Sequence, residues 1–320
     1  MKPKEILVFG ASGQVGRHLI RKLTKNNYKV VAVTRNIHQK GYILKTQANP
    51  GYLEIVEMNS FNFEKIESLL ESCSICINLI GILYEKRKNE FDNIHNNFPS
   101  LLSKMSSKKK IEQFIHLSSL GIENITDSFY AISKLNGENA VKKNFNKSII
   151  LKPSVTYSVD DNFTTSFMGL LNSLPFMPLY YEGKTKFTPI HVKDIVEIIF
   201  EVIQRKIIGK TIECVGPEEL SFKEILIKIL HSIDKKKILI PIPLSIAKMT
   251  AKIFEIMPKP LLTKDQLKLL KYDNIASGKY ETNFDLGIEA NLKFDNEIEK
   301  YSFNWRDGGQ FSQKKFSSIK

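Results

Sequence analysis

"KEILVFGASGQVGRHLIRKL", residues 4–23, decides the fold. Residues 6–9 are apolar and run straight into a turn with glycine at positions 10, 13 and 16. A helical pattern follows, with Val15, Leu19, Ile20 and Leu23 as its apolar positions. Gly10, Gly13 and Gly16 let the backbone pass tightly from strand to helix. Without side chains, that backbone can approach a pyrophosphate seated on the helix N-terminus. Ser12, Gln14 and Val15 complete the turn, and Arg17 puts a cation in the first helical turn. The spacing alone is a weak signal. Its place between a strand and a helix, with a second strand following, makes it a dinucleotide-binding signature.

Working outward, strand and helix signals alternate. "YKVVAVTR", "YLEIVEMN", "CSICINLIG", "QFIHLSS" and "KSIILKPS" read as five further strands. Helical segments lie around 62–71, 97–107 and 128–144. Near-continuous apolar strands separated by helices predict a parallel sheet covered on both faces, hence a doubly wound α/β fold of Rossmann type. "HVKDIVEIIFEVIQ" reads as a helix, and "KTIECVG" as a strand returning to the sheet. "SFKEILIKILHSI" is a helix capped by Ser221, with Glu224 completing a capping box. "TKDQLKLLKY" is another helix, and the polar tail from Phe303 onward is expected to fray. The expected organisation is a dinucleotide-binding core over 1–155, with 186–215 returning to it. A smaller, mostly helical C-terminal region for substrate or docking takes 156–185 and 216–320.

The nucleotide can be read further. An NAD site puts Asp or Glu at the end of the second strand, to bond the ribose 2′-hydroxyl. This chain has "AVTRN" there. Arg35 stands where a cation pairs with a 2′-phosphate, and Arg17 can join it. NADP(H) is therefore expected over NAD(H), with Asn59, after the third strand, near the adenine.

"SSLGIENITDSFYAISK" holds a candidate catalytic set, Ser119, Tyr130 and Lys134. Tyr and Lys at i, i+4 share a helix face. An ammonium beside a phenol is expected to lower the phenol's pKa, so that Tyr130 can exchange a proton with a carbonyl or alcohol. Ser119 can orient that oxygen.

Composition excludes other classes. The formal charge is +13, yet Lys, Ile and Asn are overused throughout and no basic-aromatic pattern accompanies the charge. Nucleic acid is not an expected partner. Cys73 and Cys76 form one C-x-x-C with no second pair, and read as buried thiols rather than a metal site. His116 and His191 read as packed residues. His95 lies on the cofactor side without an acidic partner at metal-ligand spacing, so no metal is expected. No stretch approaches the roughly 18 apolar residues of a membrane span. A strand begins within about five residues of the start, leaving no room for a leader, and a cytoplasmic protein is expected.

These residues together resemble the short-chain dehydrogenase/reductase superfamily in its extended, atypical branch. The resemblance implies that Ser119, Tyr130 and Lys134 are the superfamily's serine, tyrosine and lysine, with Lys134 also holding the nicotinamide ribose. It implies that Leu79, Ile80 and Gly81, after Asn78, run along the cofactor, and that Pro153 lies beside the nicotinamide. A closer resemblance rests on "INLIGILYE", "FIHLSS", "ILKPSVTYSVDDNF", "FTPIHVKDI", "VGPEELSF", "IPIPLSIAKMTAKIFEIMPKPLLTKDQLKLLKYDN" and "FDLGI", in that order. It is to the NADPH-binding accessory subunit of respiratory complex I and its bacterial relatives, over roughly 4–290. That implies a nucleotide held tightly, little turnover, and a role in assembly and stability of the complex. An active NADP-dependent reductase or nucleotide-sugar epimerase is the alternative, since Ser, Tyr and Lys are all retained.

Residues 244–257 bear on that choice. Leu244, Ala247, Ala251 and Phe254 form an apolar stripe at helical spacing, widened by Ile246, Ile253 and Met257, with Lys248 and Lys252 on another flank. With the resemblance, this reads as a face for docking to complex I subunits or to an anionic membrane surface. The protein would then sit peripherally on the cytoplasmic face of the inner membrane.

Overall fold

The computed structural model describes residues 5–243, 245–246, 249 and 262–311. The chain divides into two compact units. The first comprises Met1–Pro153, Ile195–Cys214 and Gly278–Ile288; the second comprises Ser154–Asp194, Val215–Ser277 and Glu289–Lys320.

The first unit is built on strands β1 (Glu5–Phe9), β2 (Lys29–Thr34), β3 (Leu53–Glu57), β4 (Ile75–Asn78), β5 (Gln113–Leu117), β6 (Ile149–Pro153), β7 (Thr211–Cys214) and β8 (Glu281–Thr282). Their order in the sheet is β8-β7-β6-β5-β4-β1-β2-β3, and every pairing is parallel. The chain winds one way from β1 to β3 and the other way from β4 onward. Ligands of such sheets bind outside the carboxyl ends of the strands, at the point where the order reverses, here between β1 and β4.

Covering helices are α1 (Gln14–Lys25), α2 (Ile37–Lys45), α3 (Phe63–Ser72), α4 (Phe98–Lys108), α5 (Phe129–Asn144) and α6 (Val192–Gln204). Helix α1 buries Leu19, Ile20 and Leu23, as its spacing predicts, and leaves Val15 half-buried. Asn36, Asn62 and Ser128 cap α2, α3 and α5, each side chain accepting a backbone N–H three residues on. The core joins Leu7 and Phe9 of β1 to Val31 and Val33 of β2, Phe114 of β5, and Phe98 and Leu102 of α4. A π-helical turn, Asn93–Asn97, leads into α4.

The second unit has its own core, with Tyr157, Leu179, Phe222, Ile225, Ile229, Phe294 and Ile298 at its centre. Its helices include Thr164–Ser173, Phe222–Ser232, Lys264–Leu269 and Phe294–Ser302. Ser221 and Glu224 form the expected capping box. Short strand pairs complete it, Phe176–Leu179 with Ile238–Pro241 among them. The described part of the tail departs from expectation, and residues 312–320 lie outside the described residues. Residues 303–311 form two 3-10 turns, because Arg306 donates to the Ser232 carbonyl at 2.7 Å and to Glu299. The expected docking stripe over 244–257 lies, save Ile246 and two neighbours, outside the described residues. Among the described residues, no helix is long and apolar enough to cross a membrane.

Candidate nucleotide site

A parallel sheet puts every strand's carboxyl end on one edge. That edge carries Gly10 after β1, Arg35 after β2, Asn59 beyond β3, residues 79–81 after β4, Ser119 beyond β5, and Pro153 closing β6. The turn after β1 is closed by the Gly13 N–H donating to the Gly10 carbonyl at 3.0 Å. Gly10 has φ +79°, a left-handed conformation that glycine adopts without strain, and a Cβ there would stand 3.0 Å from the Leu79 carbonyl carbon. A Cβ at Gly16 would lie 2.5 Å from the Gly10 and Ala11 carbonyl oxygens. The start of α1 thus lies directly against the turn.

Gly13 is the N-cap of α1, no side chain caps that end, and the first turn contains no acid. The positive end of the helix dipole therefore meets a bare backbone. The residues fit the pyrophosphate of a dinucleotide. Ser12 is used locally, accepting from the Thr34 hydroxyl at 3.0 Å, which ties the turn to β2. Arg17 donates from Nε toward the Gly13 carbonyl at 3.4 Å. Arg35 is exposed beside β2. The carboxylate at the end of the next strand, Glu57, accepts the Ile37 N–H at 3.0 Å. Asn59 is exposed.

Two backbone bonds place the serine. The Ser118 N–H donates to the Leu151 carbonyl at 2.7 Å, and the Leu120 N–H to the Pro153 carbonyl at 2.9 Å. They extend the β5–β6 ladder and fix Ser119 between them. Ser119 hydrogen-bonds the Tyr130 phenol. Lys134, one helical turn further along α5, is buried and donates to the Leu117 carbonyl at 3.1 Å. The three predicted residues are therefore brought together.

Their electrostatics corrects one expectation. Burial raises the Tyr130 phenol, and the Ser119 bond only partly opposes this. Desolvation of the phenolate, and not the neighbouring ammonium, sets the direction. Lys134 is itself brought down to about 8 by burial, against the pull of Glu138. Glu138, four residues on, belongs to a buried ionic cluster. It accepts from Ser118 Oγ at 2.5 Å and from Lys152 Nζ at 3.1 Å, and Lys152 also reaches Glu123.

Two imidazoles flank Lys134, and sequence reading gave neither a role. His116 Nδ1 lies 3.2 Å from the Asn78 amide, whose oxygen accepts the Ile80 N–H at 3.1 Å. Its Nε2 is buried and has no hydrogen-bond partner among the described residues. His95 is buried beneath Gly81, and its Nε2 accepts the Ile82 N–H at 3.1 Å. Both are held neutral by burial and by the Lys134 charge, His95 at about 2 and His116 at about 3. Strand register could have flagged Asn78 beside His116, which pair across β4 and β5. Among the described residues no cluster of ligands suits a metal. Cys73 and Cys76 are buried free thiols raised by burial.

The fold and this edge define a nucleotide-binding protein of the extended short-chain dehydrogenase type. The chain belongs to the NAD dependent epimerase/dehydratase family, whose model matches residues 6–214. It is similar to the mitochondrial 40 kDa subunit of NADH-ubiquinone oxidoreductase of Neurospora crassa, with 24% identity over 88% of this chain and 74% of that one. It is similar to mitochondrial NADH dehydrogenase (ubiquinone) 1 alpha subcomplex subunit 9 of Mus musculus, with 26% identity over 88% and 75%. Among solved structures, UDP-glucuronic acid 4-epimerase of Bacillus cereus in complex with NAD superposes with a TM-score of 0.70 at 19% identity. That match covers 95% of this chain and 100% of the epimerase.

Proposed function

We propose that the protein binds NADP(H) and serves as an accessory subunit in the assembly and stability of respiratory complex I, with little or no turnover. One observation carries this reading. Relatives named as subunits of that complex match along 88% of the chain, well beyond the family's nucleotide core. Subunits of complex I are the proposed partners, at the cytoplasmic face of the inner membrane. The +13 charge favours contact with an anionic lipid surface there.

In this reading Gly10, Gly13 and Gly16, with Ser12, Gln14 and Val15, hold the pyrophosphate. Arg17 and Arg35 take the 2′-phosphate, and Asn59 lies by the adenine. Leu79, Ile80, Gly81 and Pro153 border the nicotinamide side, where Lys134 and Tyr130 hold the ribose. The preference for NADP(H) is supported by the absence of a carboxylate after β2 and by the engagement of Glu57 with the Ile37 amide. Titration should give NADPH much tighter than NADH. Arg35→Ala should weaken NADPH roughly 10- to 100-fold, about 1.4–2.8 kcal/mol, and leave NADH nearly unchanged. Equal affinities, insensitive to Arg35, would remove the NADP(H) assignment. Bound nucleotide then stabilises the fold by mass action, about 2.7 kcal/mol at 100-fold excess over Kd.

The Ser119–Tyr130 bond beside a buried Lys134 favours a second reading, an active NADP-dependent reductase or nucleotide-sugar epimerase. In the reductase, bound NADPH would supply hydride. Tyr130 would give its proton to the substrate oxygen, and Ser119 would orient that oxygen. Co-fractionation with complex I separates the two.

A further inference from the structure

We propose that His95 is a positioning residue of the nucleotide site, a neutral clamp that ties residues 81–82 to the helix carrying Tyr130 and Lys134. The inference rests on reading that site as a nucleotide site.

The hydrogen bonds around the ring admit one tautomer. The Ile82 N–H donates to Nε2 at 3.1 Å, so Nε2 carries no proton. Nδ1 therefore carries it and donates to Ser133 Oγ at 2.9 Å. Ser133 has its own proton to give, and donates to the Tyr130 carbonyl at 2.9 Å. The chain of bonds runs in one direction from the loop amide, through the imidazole, to the first turn of α5.

The ring is also the hub of the packing. Phe91 stacks on it at 5.4 Å, and Tyr130 meets it edge to face at 5.4 Å. A Cβ at Gly81 would stand 3.3 Å from Lys134 Nζ and 3.8 Å from His95 Nε2, so the loop backbone lies over both groups. The other end of the loop is fixed too: the Leu79 N–H donates to the Phe9 carbonyl at 3.0 Å, and Leu79 abuts Gly10. The segment after β4 is thus held at one end by the glycine turn and at the other by His95. Its separation from Lys134 and Tyr130 is set by the imidazole. An apolar side chain could fill the volume but could not accept from Ile82 and donate to Ser133.

The test compares His95→Leu with His95→Gln, whose amide can both accept and donate. NADPH affinity and amide hydrogen exchange are measured on the full chain. His95→Leu should weaken NADPH at least tenfold and speed exchange at Ile82 at least tenfold, with β1–β3 protection retained. His95→Gln should restore most of both. If His95→Leu leaves affinity and Ile82 exchange unchanged, or if Gln fails to rescue a folded protein, the proposal is overturned. Should His95→Leu not fold, Ser133→Ala takes its place, with a threefold or larger loss of NADPH affinity expected and no loss overturning the clamp. Should the wild-type chain take up neither NADPH nor NADH, the nucleotide reading fails by itself. Exchange at Ile82 then decides the clamp alone: faster in Leu and restored in Gln upholds it, and no change overturns it.

Discussion

Gly137→Ala is expected to cost more than about 3 kcal/mol of folding stability. A Cβ at position 137 would lie 1.8 Å from the His95 carbonyl oxygen, 2.9 Å from its carbon and 3.5 Å from the Asn96 Cα. All three are backbone atoms, so no rotamer change relieves the clash. Helix α5 would have to move off the Asn93–Asn97 turn, taking Tyr130 and Lys134 away from Gly81. Gly41→Ala is the control. It lies within α2 and a Cβ there meets, among the described residues, the Ile37 side chain at 3.1 Å, so it should change stability by less than about 1 kcal/mol. Urea midpoints of the two variants measure the contrast. A Gly137→Ala protein as stable as wild type would mean that α5 and the π turn are not in backbone contact.

Acidification from pH 8 to pH 5 should cost roughly 4 kcal/mol, about 2 for each of His95 and His116. Both are neutral in the folded protein, at about 2 and about 3. The unfolded chain takes up protons at these positions near pH 6.5. Between about 6.5 and 3 the unfolded state therefore binds more protons, and stability falls as pH falls. Lys134, lowered to about 8, acts in a separate window. Above 8 the folded state sheds its proton before the unfolded state does, so stability rises with pH there. Urea unfolding at pH 8, 6.5 and 5 reads the acid limb. Replacing both histidines with glutamine should flatten that limb by most of the 4 kcal/mol, and an unchanged slope would mean that these imidazoles titrate normally.

The strands and the glycine turn were legible because their signals are local. Residues 6–9 are continuously apolar, and Gly10, Gly13 and Gly16 sit between strand and helix. The Tyr130–Lys134 spacing and the Ser221–Glu224 capping box were legible for the same reason. The direction in which Tyr130 shifts was not, because it depends on burial beneath residues distant in sequence. The role of His95 was hidden as well. Its acceptor duty is owed to an amide 13 residues earlier, and the π turn that aims the ring has no sequence signature. The ordering of Arg306 depends on a carbonyl 74 residues away. Strand β8 is two residues long, too short for any periodicity.

The most direct measurement of the accessory role is native electrophoresis of gently solubilised native membranes, with this chain followed by antibody. The chain is expected to sediment with the membranes at low salt and to migrate in the band that oxidises NADH. Its deletion should reduce assembled complex I, and Arg35→Ala should reduce the chain's share of that band. A chain found wholly in the soluble fraction at low salt, with none in the respiratory band, would contradict the accessory role and leave the reductase.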